Sequence, residues 1–272
     1  MERKDDLYNY FMNLFSFDES DPQWKTLRAK KVTASIAAVI AGCSCYGMPK
    51  HLASSHHGLN PGDDTGLDLS DNEAMKHGVA FEPATLRALE IVLDVLVSVC
   101  PFRVDEAVNW IAATPDGIIL HDHTMPDNGP SLVEAKSPFY KMYTHPPIMY
   151  IFQMQMQMHV YKIGRAYLVV RFGNLVSVWR VYYSARFYAF FLSLAMRYKT
   201  CIEAGIAPDE CAIPMNPYAA EDFASANFTG RERIARNYDI KPHYLPPNVR
   251  IERICTNQEV EPFVQQPLPK ED

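Results

Sequence analysis

Residues 113–136 read "ATPDGIILHDHTMPDNGPSLVEAK" and contain a Pro-Asp pair, followed later by an acid and a lysine that are separated by one residue. Short β-type runs at 117–121 and 131–135 flank a segment rich in turn residues, so the pattern predicts a hairpin. Side chains alternate along a strand with a period of two, which places Glu134 and Lys136 on the same face. The stretch therefore predicts a carboxylate and an ammonium side by side on one strand.

Asp116 supplies a second carboxylate for this cluster. The two acids point into one cleft if the runs 108–114 and 131–135 are neighbouring strands, because Asp116 then follows the end of the first. Hard cations such as Mg²⁺ or Mn²⁺ prefer one or two carboxylates completed by water and phosphate oxygens. Lys136 would then hold and polarise a water molecule for attack on phosphorus. A solvated surface pair of Glu134 and Lys136 would explain the same residues without a metal.

The helix predicted before these strands carries a further acid. Helical periodicity runs from Asn72 to about Leu93, and Glu82 lies in its middle. Glu82 would be a third acid near the cluster, or else a solvated glutamate paired with a base on its own helix.

The helix predicted after the strands, from about 147 to 162, contains "YIFQMQMQMHVY". At helical spacing Tyr150, Gln153 and Gln157 share one face, while the methionines belong to another face that we interpret as core. A phenol and amides along one helix face suit hydrogen bonds to phosphate and water. The sequence thus predicts a polar helix face beside the acids.

Near the start of the chain, Arg28 and Ser35 form a candidate anion site. A guanidinium is a planar fork that suits phosphate oxygens. Ser35 lies in the first turn of a helix predicted to begin after Thr33, where backbone amides also favour an anion. Pairing of Arg28 with a local acid such as Asp21 is the alternative.

Five segments in this order resemble the lambda exonuclease and YqaJ-type viral recombinase family, within the nuclease superfamily named for its Pro-Asp and Asp/Glu-x-Lys motifs. They lie between residues 24 and 157, about half of the chain, and read "QWKTLRAKKVTASIAAVI", "HGVAFEPATLRALE", "ATPDG", "VEAKSP" and "YIFQMQ". The resemblance implies an α/β fold with a restriction-endonuclease-like core, in which helices flank a central mixed β-sheet. The segment after Lys136 departs from the family, because no second phosphate-binding arginine aligns there; Lys141 is the available substitute.

The resemblance also implies a role for each matched residue. Metal binding falls to Asp116, Glu134, the backbone carbonyl of Ala135, and Glu82. Lys136 would activate water, and Tyr150 and Gln153 would line the site. The 5′-phosphate of a DNA end would be bound by Arg28, Ser35 and Thr114.

The implied activity is that of a Mg²⁺- or Mn²⁺-dependent deoxyribonuclease with two ions. It would degrade linear double-stranded DNA from 5′ to 3′ as an exonuclease, in DNA recombination or processing of viral or phage type. The implied partners are DNA ends with a 5′-phosphate, a single-strand annealing recombinase and further copies of this chain in a ring. Two alternatives remain open: an endonuclease on DNA or RNA, resembling alkaline nucleases, and a catalytically silent nucleic-acid-binding protein of the same fold.

Composition limits the class of protein. The 272 residues carry a formal charge of −6, which argues against nucleic-acid binding by a broad basic surface, while bound cations would neutralise part of a carboxylate-rich site. No run approaches the ~18 apolar residues of a membrane helix, and the start of the chain is charged. We therefore expect an intracellular protein in a reducing compartment without membrane contact, in the host cytoplasm or nucleus if it is viral.

Residues 1–272 are interpreted as one nuclease domain, with a surface excursion at 43–72 and an irregular C-terminal extension at 207–272. Two cysteine-based metal sites remain less favoured alternatives, because the spacings are too wide or the residue types are explained by surface and core positions. An iron–sulfur cluster would use Cys201, Cys211 and Cys255. A zinc site would use Cys43, Cys45, His51, His56 and His57.

Overall fold

The computed structural model describes residues 28, 31–42, 44, 52, 73–206, 208 and 249–260. Most of the 43–72 excursion, most of the 207–272 extension, and the residues of the alternative zinc site lie outside these ranges, as does Cys211. The strands are β1 (Val32–Thr33), β2 (Arg103–Val104), β3 (Ile111–Ala113), β4 (Gly117–Ile119), β5 (Ser131–Lys136), β6 (Arg165–Phe172), β7 (Leu175–Tyr182) and β8 (Ile251–Glu259). The helices are α1 (Ala37–Ile40), α2 (Glu73–Leu93), α3 (Ile148–Tyr161) and α4 (Ala185–Glu203), and a 3₁₀ turn spans Ala34–Ile36.

The larger sheet has five strands in the order β4-β5-β6-β7-β8. Strands β5 and β6 are parallel, and the other neighbours are antiparallel. The strands β4 and β5 form the predicted hairpin. The strands β6 and β7 form a second hairpin, and Gly173 in its turn has a φ of +59° that glycine adopts without strain. A second, smaller sheet has three strands in the order β1-β3-β2, and all three precede β4 in the chain.

Helices cover both faces of the larger sheet because its strands are apolar on both faces. On one face α2 packs through Leu89 against Val133 and Val169. On the other face α3 and α4 pack through Phe152 and Phe187 in the largest hydrophobic cluster of the described residues. This arrangement confirms the predicted α/β class with a central mixed sheet flanked by helices.

Helix α3 lies at the centre of the fold, and twelve of its fourteen residues are buried. Its apolar side chains pack on α1, α4 and the sheet, which explains why methionines rather than charged residues fill one of its faces. The helix ends where Lys162 adopts a left-handed conformation with a φ of +58°. Such depth means that polar side chains of α3 need partners inside the protein.

A network of buried polar side chains joins the β4–β5 loop to the sheet, away from the acids. Asp122 is fully buried and accepts hydrogen bonds from Ser131 (2.7 Å), Thr124 (2.6 Å) and Tyr167 (2.8 Å). Burial acts to raise the pKa of Asp122, but these hydrogen bonds outweigh it and the pKa lies below its ordinary value. The network fixes the turn-rich segment that the sequence places between the two strands.

Three expectations about the fold need correction. The run 108–114 does not neighbour β5, because β3 belongs to the smaller sheet and β4 is the antiparallel partner of β5. The helix predicted after Thr33 is only a 3₁₀ turn followed by one turn of α-helix, and the Thr33 side chain makes no capping bond. Within the extension interpreted as irregular, residues 251–259 form β8.

None of the helices in the described part of the chain is long and apolar enough to cross a membrane.

Candidate active site

Glu134 is the centre of the predicted cluster and has no exposed surface. Its Oε1 accepts hydrogen bonds from Lys136 Nζ and from Gln153 Nε2, the latter at 2.6 Å. Its Oε2 accepts a hydrogen bond from Gln157 Nε2, also at 2.6 Å. The alternative of a solvated surface pair is therefore wrong, since a buried carboxylate is held here by three donors.

Asp116 lies immediately before β4, at the edge where β4 stops covering β5. Its Oδ2 accepts a hydrogen bond from the backbone N–H of Ala135 (2.7 Å) and lies 3.7 Å from Lys136 Nζ. The N–H and C=O of one strand residue point to the same side of the strand. The carbonyl of Ala135 therefore faces the edge at which Asp116 lies, and the two acids share one ammonium.

The electrostatics of this cluster follow from burial and from two like charges. Burial and the Asp116 carboxylate raise the pKa of Glu134 to about 7, against the opposing effect of Lys136 and Gln157. Burial alone would lower the pKa of Lys136, but Glu134 and Asp116 raise it above its ordinary value. The lysine is thus charged at neutral pH, while the two carboxylates carry more negative charge than one ammonium balances.

Helix α2 brings Glu82 towards this cluster from the opposite face of the sheet. The carboxylate of Glu82 contributes to the raised pKa of Lys136, so its charge acts on that ammonium. One turn later, Thr85 Oγ1 is 2.7 Å from Ser137 Oγ, which joins α2 to the segment that follows β5. Glu82 therefore acts on the cluster through its charge, but among the described residues it is not grouped with Asp116 and Glu134 to hold one ion.

Helix α3 contributes its predicted polar face. Tyr150 is buried, its hydroxyl is 3.2 Å from that of Tyr143, and the Lys136 ammonium lies 5.3 Å from its ring centroid. Gln157 was predicted on this face as a hydrogen-bonding group for phosphate or water; in the structure it donates to Glu134 and lies 3.4 Å from the Thr114 carbonyl. Its helical register with Gln153 was the available signal, and only burial shows how close it comes.

Arg28 and Ser35 are also brought together. Arg28 Nη2 lies 3.5 Å from Ser35 Oγ, at the outer limit of a hydrogen bond, and Thr33 Oγ1 lies 3.1 Å from the same oxygen. The parallel strands β1 and β3 pair Thr33 with Ala112. Ser35 and Thr114 each follow that pair by two residues, so they lie at the same end of the smaller sheet.

This end of the smaller sheet leads directly into the acidic cluster. Pro115 connects Thr114 to Asp116, so the threonine hydroxyl and the aspartate carboxylate are neighbours along the chain. The helix-terminus contribution expected for Ser35 is absent, because the helix there has a single turn. The groups that remain available to bind an anion are the Arg28 guanidinium and the hydroxyls of Ser35 and Thr114.

The oxygen atoms that could hold a metal ion are those of Asp116, Glu134 and the Ala135 carbonyl. Among the residues that the structure describes, no three His, Cys, Asp or Glu side chains are placed to hold an ion together. Mg²⁺ is commonly held by one or two carboxylates with waters and phosphate, so a two-carboxylate set fits this ion. The excess negative charge around Glu134 fits it as well.

Comparisons with solved structures and with a family model address the fold and the family of the chain. The fold is similar to that of an alkaline exonuclease (LHK-Exo) from Laribacter hongkongensis, with a TM-score of 0.53, 21% sequence identity, and coverage of 68% of this chain and 94% of that one. The same enzyme in complex with dAMP gives a TM-score of 0.54 at the same identity and coverage. No curated protein matches the chain significantly. The model of the YqaJ-like viral recombinase domain matches residues 23–163, which include all ten predicted site residues, and the chain belongs to this family.

Proposed function

We propose that this protein is a metal-dependent DNA exonuclease that degrades linear double-stranded DNA from 5′ to 3′. The observation that carries the proposal is the fully buried Glu134, which shares the Lys136 ammonium with Asp116 at the end of two parallel strands. Membership of the YqaJ-like viral recombinase family supports a role in DNA recombination or processing. The similar fold of an alkaline exonuclease supports a nuclease.

The cofactor of this reaction would be Mg²⁺ or Mn²⁺, held as two ions by Asp116, Glu134 and the Ala135 carbonyl with support from Glu82. Ions bound there would stabilise the charge that develops on the scissile phosphate and ease deprotonation of a water molecule. Gln153 and Gln157 fix the orientation of the Glu134 carboxylate through their 2.6 Å hydrogen bonds. Asp116 is fixed in turn by the Ala135 N–H.

Lys136 is the group of this chain that can orient the attacking water. Its ammonium is charged at neutral pH, lies beside both carboxylates, and has donors to spare for a water or a phosphate oxygen. The water oxygen forms a bond to phosphorus, and the bond from phosphorus to the 3′ oxygen breaks. The leaving oxygen takes up a proton, and the shortened strand again carries a 5′-phosphate.

Recognition of that 5′-phosphate would fall to Arg28, Ser35 and Thr114. The guanidinium and both hydroxyl-bearing residues lie at one end of the smaller sheet, and Thr114 precedes Asp116 by two residues in the chain. Each round of hydrolysis regenerates the group that this anchor binds. An end-dependent enzyme can therefore repeat the reaction along one strand.

Digestion of three DNA substrates tests this function. Linear duplex with 5′-phosphate, linear duplex with 5′-hydroxyl, and closed circular duplex are incubated with and without Mg²⁺. We expect Mg²⁺-dependent loss of linear duplex, fastest with the phosphate, and an intact circle. Cleavage of the circle at the linear rate would identify an endonuclease instead, and binding without any hydrolysis would identify a silent nucleic-acid-binding protein.

A single-strand annealing recombinase and further copies of this chain in a ring are proposed partners of the same activity. Degradation of one strand from each end exposes the other as single-stranded DNA, which is the substrate of an annealing protein. The intracellular location predicted from the sequence suits both partners.

A further inference from the structure

Four aromatic side chains form a partly exposed cluster beside the candidate active site, which we call the aromatic patch. His77 and Phe81 lie one turn apart on α2 with ring centroids separated by 4.4 Å. Phe139 meets His77 edge-on at 5.3 Å, and Tyr140 meets Phe139 edge-on at 5.0 Å. Phe139 is 41% exposed and Tyr140 is 82% exposed. Adjacent exposed rings of this kind mark interaction sites more often than isolated ones do.

Arg171 lies against this patch and is buried. Only 7% of the residue is exposed, and its guanidinium carbon is 5.9 Å from the Phe81 ring centroid. Across the described residues, neither a carboxylate nor a hydrogen-bond acceptor pairs with Arg171. Burial lowers the pKa of Arg171 from its ordinary value, with no neighbouring carboxylate to oppose this. The side chain is largely buried, but its nitrogens are not among the described atoms that are closed off from solvent, so an anionic ligand can reach the guanidinium. A cation in a largely buried position without a neighbouring anion favours such a ligand.

The chain connects the patch to the acids on both sides. Phe81 directly precedes Glu82 on α2, and Phe139 follows Lys136 by three residues. The hydroxyl contact between α2 and the segment after β5 holds these two parts of the chain against each other. Ligand bound at the patch would therefore be continuous with ligand at the acids.

The sheet places Arg171 at the same edge as the acids. Strands β5 and β6 are parallel, and Lys136 pairs with Val170. Arg171 is the next residue, so its Cα lies about 6 Å from that of Lys136, given the usual strand spacing and rise. Glu134 faces α3 and Arg171 faces α2, which means that the two sites lie on opposite faces of one sheet edge.

We propose that Arg171 and the aromatic patch form a subsite for a single-stranded part of the nucleic-acid substrate. The guanidinium binds a backbone phosphate, and a base stacks on the exposed ring of Tyr140 or Phe139. A nucleotide combines an anionic phosphate with a flat base that can stack on a ring. Phosphate alone would leave the exposed rings without a partner, and an apolar ligand would leave the guanidinium without an anion. The inference rests on the proposed function only in taking the substrate to be nucleic acid. Stacking of this kind tolerates any base, so we expect little sequence preference.

The test measures binding of a fluorescein-labelled oligo(dT) by fluorescence anisotropy in EDTA over a series of salt concentrations. Loss of one phosphate contact in Arg171→Gln should weaken binding about ten-fold and reduce the slope of log K against log salt by about 0.7. Tyr140→Ala should weaken binding about ten-fold and leave the slope unchanged, because it removes stacking and no charge.

Two matched controls use positions away from the patch. Arg87→Gln removes a guanidinium that pairs with Glu90 on the exposed side of the same helix α2. Leu96→Ala removes an apolar side chain that is 79% exposed, close to the value for Tyr140. Both controls should keep the wild-type affinity and salt slope. Thermal unfolding of each variant shows whether it is folded.

The outcomes separate this inference from the proposed function. Wild-type affinity and slope in Arg171→Gln and Tyr140→Ala, equal losses in the controls, or absence of wild-type binding would each overturn the subsite. Tyr140→Ala decides alone if Arg171→Gln does not fold, since Tyr140 is on the surface. A wild type that digests linear DNA while the variants bind normally has the nuclease activity without the subsite. A wild type that binds through Arg171 but digests nothing has the subsite without the nuclease.

Discussion

Replacement of Lys136 by methionine removes the ammonium beside Glu134 and Asp116 and keeps most of the side-chain volume. Glu134 then retains two of its three donors, Gln153 and Gln157. A hydrogen bond to a charged group contributes about 1.5–3 kcal/mol, so we expect the free energy of unfolding to fall by about this amount at pH 9. For a protein of this size the midpoint of thermal unfolding should fall by roughly 3–12 °C.

The size of this loss depends on pH because Glu134 titrates. Burial and the Asp116 carboxylate raise the pKa of Glu134 from 4.5 to about 7. The folded protein therefore binds a proton that the unfolded chain has released, and this contribution to stability is lost as the pH rises from about 4.5 to 7. Without Lys136 the pKa of Glu134 rises further, so the variant continues to lose stability above pH 7. The deficit should be smaller at pH 6 than at pH 9.

Circular dichroism of thermal unfolding in EDTA at both pH values provides the measurement. Lys199→Met is the control, because Lys199 forms a partly exposed ion pair with Glu203 that contributes up to about 1 kcal/mol, and its removal should have a similar effect at both pH values. Added Mg²⁺ should restore part of the stability of Lys136→Met, by about 2.7 kcal/mol at a concentration one hundred times its Kd. Equal deficits of Lys136→Met at pH 6 and pH 9 would refute the reasoning.

Four further substitutions test the candidate active site, the phosphate anchor and the Asp122 network. Glu82→Ala and Gln153→Ala should each slow Mg²⁺-dependent hydrolysis without weakening DNA binding; wild-type rates across a Mg²⁺ titration would show that neither supports the cluster. Arg28→Ala should slow digestion of 5′-phosphorylated ends by roughly ten-fold to one hundred-fold and reduce their advantage over hydroxyl ends, and an unchanged ratio of the two rates would contradict the phosphate anchor. Asp122→Asn should lower the free energy of unfolding by about 3 kcal/mol near neutral pH. The folded pKa of Asp122 lies below its unfolded value of 3.8, so this deficit should shrink as the pH falls below about 4. A deficit that does not change with pH would contradict the assigned network.

The two helices that flank the acids, α2 and α3, could be predicted closely because helical periodicity is a local property of the sequence. The predicted limits 72–93 and 147–162 differ from those of α2 and α3 by at most one residue at each end. The acid and lysine on one face of β5 were equally predictable from the period of two. These features depend only on residues close together in the chain.

Pairing between strands was less accessible, because period-two alternation says which face a residue occupies but not which strand lies beside it. The sequence suggested that β3 pairs with β5 and so brings Asp116 to Glu134. In the structure β4 is the strand that pairs with β5 and places Asp116 there. Strand β8 was missed because its side chains are largely exposed and its sequence "IERICTNQE" lacks clear alternation. The contact of Arg171 with Phe81 joins residues far apart in the chain, and one arginine within an apolar run gives no sign of it.

The position of β8 in the sheet also affects the order in which the chain can fold. Its partner β7 ends at Tyr182, and residues 183–250 must be synthesised before β8 leaves the ribosome. Until then β7 is an uncovered edge strand whose Val176, Val178 and Val181 become fully buried in the finished fold. Apolar edge strands pair readily with other chains. Each nascent chain therefore passes through a period in which aggregation competes with completion of the sheet, and the time needed to translate 183–259 sets its length.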